Sequence, residues 1–307
     1  TLQLGELCTS NDSCASGLCS LEAASADHRR CVPVELASAA GGAMEFRYVP
    51  ATGSGGYQQG VAGGTSVYTS TITRSYFVGR TEVTQGQWAM AAGSTNPSSF
   101  ASCGSTCPVE QVDWWSSAAY ANWLSEQAGL ERCYTFTPSN WDRTVSNWSD
   151  GVGSTGTAAT GVAWSSGPAC AGYRLLTESE WEWVARGPVA SGTLTTAYYW
   201  GATVDSAYLW YSSNSGSRTQ PVGGKLANAY GLRDMSGNVW EWAWDWYDTY
   251  PSGSRSDYTG ASTGSNRVFR GGSWGHDATH VRSAARVGGA PSYRDRYLGV
   301  RLARTVL

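Results

Sequence analysis

The chain has 307 residues, 41% of them hydrophobic and 15% charged, with a net charge of -3. That composition supports one large core, or one core with a small appendage, and argues against disorder throughout. Acidic and basic residues are interspersed without a basic stripe, which argues against nucleic acid, and no apolar run reaches the roughly 18 residues of a membrane-spanning helix.

Cys8, Cys14, Cys19 and Cys31 open the chain among Ser, Asn, Asp and Gly. A segment this short cannot hold itself together by apolar burial, so two disulfides are expected to staple it. The five, four and eleven residues between successive cysteines lack the CxxC steps usual in zinc sites. Of the three possible connectivities, Cys8–Cys19 with Cys14–Cys31 is preferred. Residues 1–33 are thus expected to be a cysteine-rich appendage, 34–42 a linker with its Ala, Ser and Gly run, and 43–307 the main domain. A start at Thr1, with no charged-then-apolar leader, suits a mature exported chain that is secreted, periplasmic or at the cell surface.

Residues 44–49 alternate apolar and polar positions and predict a strand, as does 68–78. Thr84 caps a predicted helix through Trp88 to Met90, and Asp113 opens a longer one through Trp115, Ala119, Trp123 and Leu124 that ends near Gly129. Cys103 and Cys107 bracket a loop short enough for a local disulfide. Cys133 and Cys170 flank an excursion rich in Ser, Thr and Gly, and a bond between them would limit its entropy when unfolded. Residues 137–167 cannot build a core of their own, so order is expected where Trp141, Trp148 and Trp164 dock. Thr177 and Glu180 form a capping box for a third helix that runs to Gly187. With 16 Trp and 17 Tyr against 5 Phe, the rings favour a polar handle, although most Trp are expected in the core. Pairing all eight cysteines leaves no thiol nucleophile and implies an oxidising compartment.

The C-terminal half carries a set of ordered motifs. Gly172 to Trp183 contains Arg174, Leu175, Thr177, Glu178, Glu180 and Trp181; Tyr230 to Trp242 contains Asp234, Met235, Gly237, Asn238, Trp240 and Glu241. Arg270, Gly271, Gly272, Ser273 and Trp274 follow, then Arg282, Arg286 and the Leu298, Gly299, Val300, Arg301 run. With Thr81 to Thr84 and Cys107 to Trp114, these make residues 40–307 resemble the formylglycine-generating enzyme (sulfatase-modifying factor) family. The resemblance implies an irregular, loop-rich α+β fold related to C-type lectin domains. In the oxidase of that family, the loop after the Arg-Gly-Gly-Ser run supplies two copper-binding cysteines; here residues 275–281 contain none. The resemblance therefore implies a non-oxidase member, with copper or iron not expected.

Asp234 and Glu241 carboxylates with the Gly237 and Val239 carbonyls are hard oxygen donors suited to calcium, and the resemblance implies a structural calcium at these positions. A metal-free turn capped by Asp234 and Asn238 is the competing reading. The family's second calcium site has no matching ligand near residues 208–211, and Asn214, Ser215 and Gly216 read as a turn. His276 and His280 flank Asp277 four residues apart; one helical turn would place both imidazoles on a metal, whereas a solvated surface loop is the preferred reading. Arg270, Arg282, Arg286 and Arg301 are expected to pair with Glu180, Glu182 and Glu241 in a partly buried lattice. No phosphate loop, serine-hydrolase motif or glycosidase carboxylate pair stands out.

These readings favour a secreted or cell-surface, non-catalytic family member that binds a glycan, peptide or protein partner, with Trp274, His276, Asp277, His280 and Tyr293 as candidate contacts. A structural subunit of an extracellular assembly or filament, self-associating through Tyr and Trp surfaces, is the alternative. A divergent metal-dependent oxidase or oxygenase using His276 and His280 comes third.

Overall fold

The computed structural model describes residues 19–25, 28–39, 42–61, 67–93, 95–139, 141–143, 159–188 and 196–306. Cys19–Ser25 (β1) and His28–Ala39 (β2) form an antiparallel hairpin. β2 continues against Gly42–Val49 (β3), with Val34 opposite Arg47 and Ala39 opposite Gly42. Residues 34–39, expected as linker, are therefore strand: a ladder to a neighbour supplies order that an Ala and Ser composition does not encode. The expected bonds Cys8–Cys19 and Cys14–Cys31 lie outside the described residues, as does Trp148.

Tyr57–Gly60 (β4) pairs with Val67–Thr71 (β5), whereas Tyr76–Gly79 (β6) pairs with β3. The single strand expected over 68–78 is thus two strands in different sheets. Asp257 holds the bend between them, accepting from the Thr73 N–H and from Arg74 Nη1.

Gln85–Ala92 (α1) starts where Thr84 and Gln87 cap each other reciprocally. Trp114–Gln127 (α2) starts where the Asp113 carboxylate accepts from the Ser116 N–H at 2.7 Å. Beyond α2, Thr135–Thr137 (β7) and Gly161–Ala163 (β8) pair across the excursion, and Cys133–Cys170 bonds its feet. Trp141 docks on Phe136, and Trp164 on Tyr134 and Trp244. Tyr173–Leu175 (β9) leads into Glu178–Arg186 (α3), which carries the Thr177 and Glu180 capping box.

Six strands complete the fold among the described residues: Trp240–Trp246 (β10), Ser254–Ser256 (β11), Arg267–Arg270 (β12), Arg286–Gly289 (β13), Leu298–Gly299 (β14) and Leu302–Thr305 (β15). The largest sheet runs β1-β2-β3-β6-β15-β9, a second runs β13-β12-β10-β14, and a third β11-β5-β4. The last strand lies between β6 and β9, so the C-terminus closes the main sheet. The core between sheet and α2 includes Phe46, Trp88, Trp114, Tyr120, Leu175, Trp242 and Leu302, which places most tryptophans in structural roles. This is the irregular α+β architecture expected, and among the described residues no helix is long and apolar enough to cross a membrane.

Candidate functional site: a groove over the second sheet

Side chains alternate faces along a strand, and the second sheet uses that alternation to separate two chemistries. On one face lie Trp240, Phe269, Val287 and Leu298, one from each strand, with Trp240 opposite Leu298 and Phe269 opposite Val287. They floor an open groove of about 360 Å³ whose rim is His276, His280, Tyr293, Asp295 and Tyr297.

The opposite face aligns Glu241 with Arg270 and Arg270 with Arg286, and packs on α3. Arg286 grips the Glu178 carboxylate through Nε at 2.7 Å and Nη2 at 2.6 Å, while Arg270 donates to Glu182. Arg301 grips Glu241 at 2.7–3.0 Å, and the Trp181 indole N–H donates to the same carboxylate at 2.6 Å. Arg174 forks onto Glu180 at 2.7 and 2.8 Å. The expected lattice is present with two changes. Arg174 and Glu178 join it, and Arg282 is exposed outside it.

The rim loop is fixed through its main chain. Trp274 N donates to Asn238 O, Ser215 Oγ to Trp274 O, Ser212 N to His276 O, Tyr198 Oη to Ala278 O and Ser283 N to Ala197 O, all at 2.7–3.0 Å. These partners leave the side chains of His276 and His280 unneeded for holding the backbone. His276 and His280 are not on a helix, yet their ring centroids stand 5.3 Å apart.

The Trp240 indole can only donate, and it points at His276 Nδ1 from 3.3 Å; Ser273 Oγ meets the same nitrogen at 2.6 Å. Nδ1 is therefore an acceptor, and the neutral ring carries its proton on Nε2. Burial, with His280 beside it, holds the His276 pKa below its ordinary value. His280 Nδ1 lies 3.0 Å from Asp277 Oδ1, which also accepts from the Thr279 N–H and hydroxyl. Those hydrogen bonds keep Asp277 below the usual carboxylate range.

Of the candidate contacts, the fold brings His276, His280 and Tyr293 into the groove. Asp277 faces solvent and braces His280. Trp274 is only 4% exposed, packed on Tyr297 and edge-on to Phe100 with its N–H donated to Arg296 O, so it supports the rim from beneath. Sequence reasoning missed Trp240, Phe269, Val287, Asp295, Tyr297 and Leu298. The alternation within 240–246 was a usable signal for Trp240; the others converge through strand register that local pattern does not reveal.

The calcium candidates divide. Asp234 Oδ2 accepts from the Gly223 N–H, and Oδ1 is buried without a hydrogen-bond partner, as are both oxygens of the neighbouring Glu82. Such a donor set suits a hard cation. Glu241, by contrast, already has Arg301 and Trp181 on its carboxylate. Among the described residues no three His, Cys, Asp or Glu side chains converge on one metal-sized point. Cys103–Cys107 and Cys133–Cys170 are both bonded, as the spacing suggested.

Comparison with known proteins gives a consistent answer. The sulfatase-modifying factor enzyme 1-like domain matches residues 32–306. The chain is 32% identical to the chaperone protein LppX of Paenibacillus barcinonensis over 65% of this chain and 69% of that one. It is 31% identical to the formylglycine-generating enzyme of Streptomyces coelicolor over 78% of this chain and 81% of that one. Among solved structures it resembles Treponema denticola variable protein 1, with a TM-score of 0.74 and 34% identity over 88% of this chain and 98% of that one. PvdO from Pseudomonas aeruginosa, at 23% identity and a TM-score of 0.62 over 89% and 98%, shares the fold. With the motifs at 230–242, 270–286 and 298–301 supplying strands of the second sheet and that at 172–183 the helix packed on it, and with no cysteine in the 275–281 loop, the chain belongs to the sulfatase-modifying factor family as a member without the oxidase's cysteine pair.

Proposed function

We propose that this chain is a non-catalytic binding module, exported to an oxidising compartment, that takes a glycan, peptide or protein partner in the groove over the second sheet. The observation that carries the reading is the division of labour in the rim loop: backbone hydrogen bonds hold its shape, while His276, His280 and Tyr293 stand over an aromatic floor. Binding clefts commonly combine an apolar floor with a few placed polar groups. The two disulfides support export. Likeness to a chaperone supports engagement of a partner. A metal oxidase is disfavoured because His276 Nδ1 receives an indole N–H, whereas a metal-bound histidine ordinarily donates from its second nitrogen.

A structural calcium is part of the proposal. Asp234 would hold it with the Gly237 and Val239 carbonyls, and Glu241 would join by sharing its carboxylate with Arg301. The unpaired Asp234 and Glu82 oxygens support this. Metal content per chain of the purified protein tests it, with calcium near one and copper and iron absent as the expected result.

The binding reading is tested by screening glycan and linear-peptide arrays with the wild type, then repeating the best binder with His280→Ala and Tyr293→Ala. Loss of binding at unchanged melting temperature is expected. Binding unaffected by both substitutions would refute the groove as the site.

A further inference from the structure

Strand β13 is the terminal strand of the second sheet, and among the described residues no backbone group of 286–289 bonds to anything beyond β12. Its faces alternate between two recesses. Val287 lines the groove, and Gly289 faces Phe269 and Tyr293. Arg286 lines a second recess of about 490 Å³ with Tyr247, Asp248, Tyr250 and Val61, and Gly288 faces Tyr247. The two glycines present no side chains of their own, so a tyrosine flanks the edge on either side.

Those tyrosines are conspicuous on the surface. Of the five large apolar side chains exposed among the described residues, Tyr247 (41%) and Tyr293 (43%) stand on opposite sides of this one edge, and Val61 (58%) lines the Tyr247 recess. Core and sheet do not need them exposed. Arg286, which would otherwise make the second recess basic, is neutralised by Glu178 and stacked 4.4 and 4.2 Å from the Tyr247 and Tyr250 rings. Apart from the neutralised Arg286 and the two histidines, the charged groups lining the recesses are acidic: Asp248 in one and Asp295 in the other.

We infer that β13 accepts an extended peptide segment of a partner protein as a fifth strand of this sheet, with adjacent side chains of the peptide entering the two recesses in turn. The inference rests on the binding-module reading for one of its two side-chain sites, the groove. The free N–H and C=O groups of an edge strand match the repeat of another backbone and of no sugar, and main-chain pairing with alternating pockets is a known way to read a peptide. Four residues of edge span about 13 Å, so pairing alone is weak and the recesses must select the sequence. The fitting segment is neutral to basic, with bulky apolar or aromatic side chains at two adjacent positions.

The test selects binders from a displayed library of short linear peptides on the full chain, then methylates the backbone nitrogens of one selected peptide singly. Methylation at alternate positions is expected to weaken binding about tenfold or more, and at the positions between to have little effect. Tyr247→Ala is expected to weaken the peptide by a similar factor at unchanged melting temperature, although Tyr247 lies outside the groove of the earlier reading. Indifference to every methylation, or to Tyr247→Ala, overturns strand addition while groove binding stands. So does slowed amide exchange at 286–289 with rising protein concentration and no peptide, which would put a second copy on the edge. Failure to select any peptide, with a glycan bound through Tyr293 and His280, likewise sinks this inference and leaves the groove reading intact.

Discussion

Replacing Arg301 by Met should destabilise the fold more than any surface change. The guanidinium is fully buried and makes three charge-assisted hydrogen bonds to Glu241, with two more to the carbonyls of Gly79 and Arg233. Met matches much of its volume but leaves Glu241 with the Trp181 N–H alone, in a region that also buries Asp234 and Glu82. Removing one partner of a buried ion pair costs about 3–5 kcal/mol, because the other charge is left in low dielectric. In a chain of this size that corresponds to a drop of roughly 6–10 °C in melting temperature. Arg301→Lys should fall between, keeping charge but not the fork. Compared in EDTA, so that the proposed calcium does not enter, Arg301→Met with Glu241→Leu removes both charges and should recover about half of the loss, the remainder being the orphaned indole and carbonyls. Urea denaturation followed by tryptophan fluorescence supplies the three values. A single substitution within about 1 kcal/mol of wild type, or a double variant worse than the single, would refute the claim that burial of an unpaired Glu241 sets the cost.

Burial, reinforced by Glu178, raises the Asp245 carboxyl to about 8. A carboxyl with a raised folded-state pKa stabilises most when protonated, so its contribution is full below about pH 4 and declines as pH rises to about 8. Asp245→Asn keeps an acceptor for the Glu178 N–H and should raise the melting temperature at pH 8.5 while changing it little at about pH 4; the same shift at both would disprove the assignment. Cys133→Ala with Cys170→Ala opens a link of sequence separation 37, with a loop-entropy cost of about 3–4 kcal/mol by denaturation, and no loss of stability would show that the excursion is already closed by other contacts. In a proton NMR titration, His276 should change charge below the usual histidine midpoint; a midpoint above it would contradict a half-buried, neutral ring.

Helix starts were legible because capping is local. Thr84, Asp113 and Thr177 were each read as a helix start, and each side chain accepts from the N–H three residues on. The Cys103–Cys107 pair was legible for the same reason of chain proximity, and Cys133–Cys170 because the two flank the excursion rich in Ser, Thr and Gly. Sheet order was not, since β15 meets β6 across more than two hundred residues and nothing in either segment names the other. The groove was half visible: His276, His280 and Tyr293 were found, but its floor takes one residue from each of four strands, a convergence fixed by register. Trp274 was placed among the contacts from its position beside the loop. Its burial follows from Tyr297 and from Phe100, which cover the ring, the latter from a segment far away in sequence.

The bond between Cys133 and Cys170, with β7 and β8 paired just inside it, has a consequence for survival of a proteolytic cut. A peptide bond cut anywhere inside that bracket yields two fragments that stay covalently joined. The N-terminal piece keeps α1 and α2 and the C-terminal piece keeps the groove, each still packed on the other through α2 and β9. Such a nicked molecule would run as one species without reductant and as two with it, and its groove would be unchanged. Tolerance of damage is thereby concentrated in the one stretch whose composition least resembles a core.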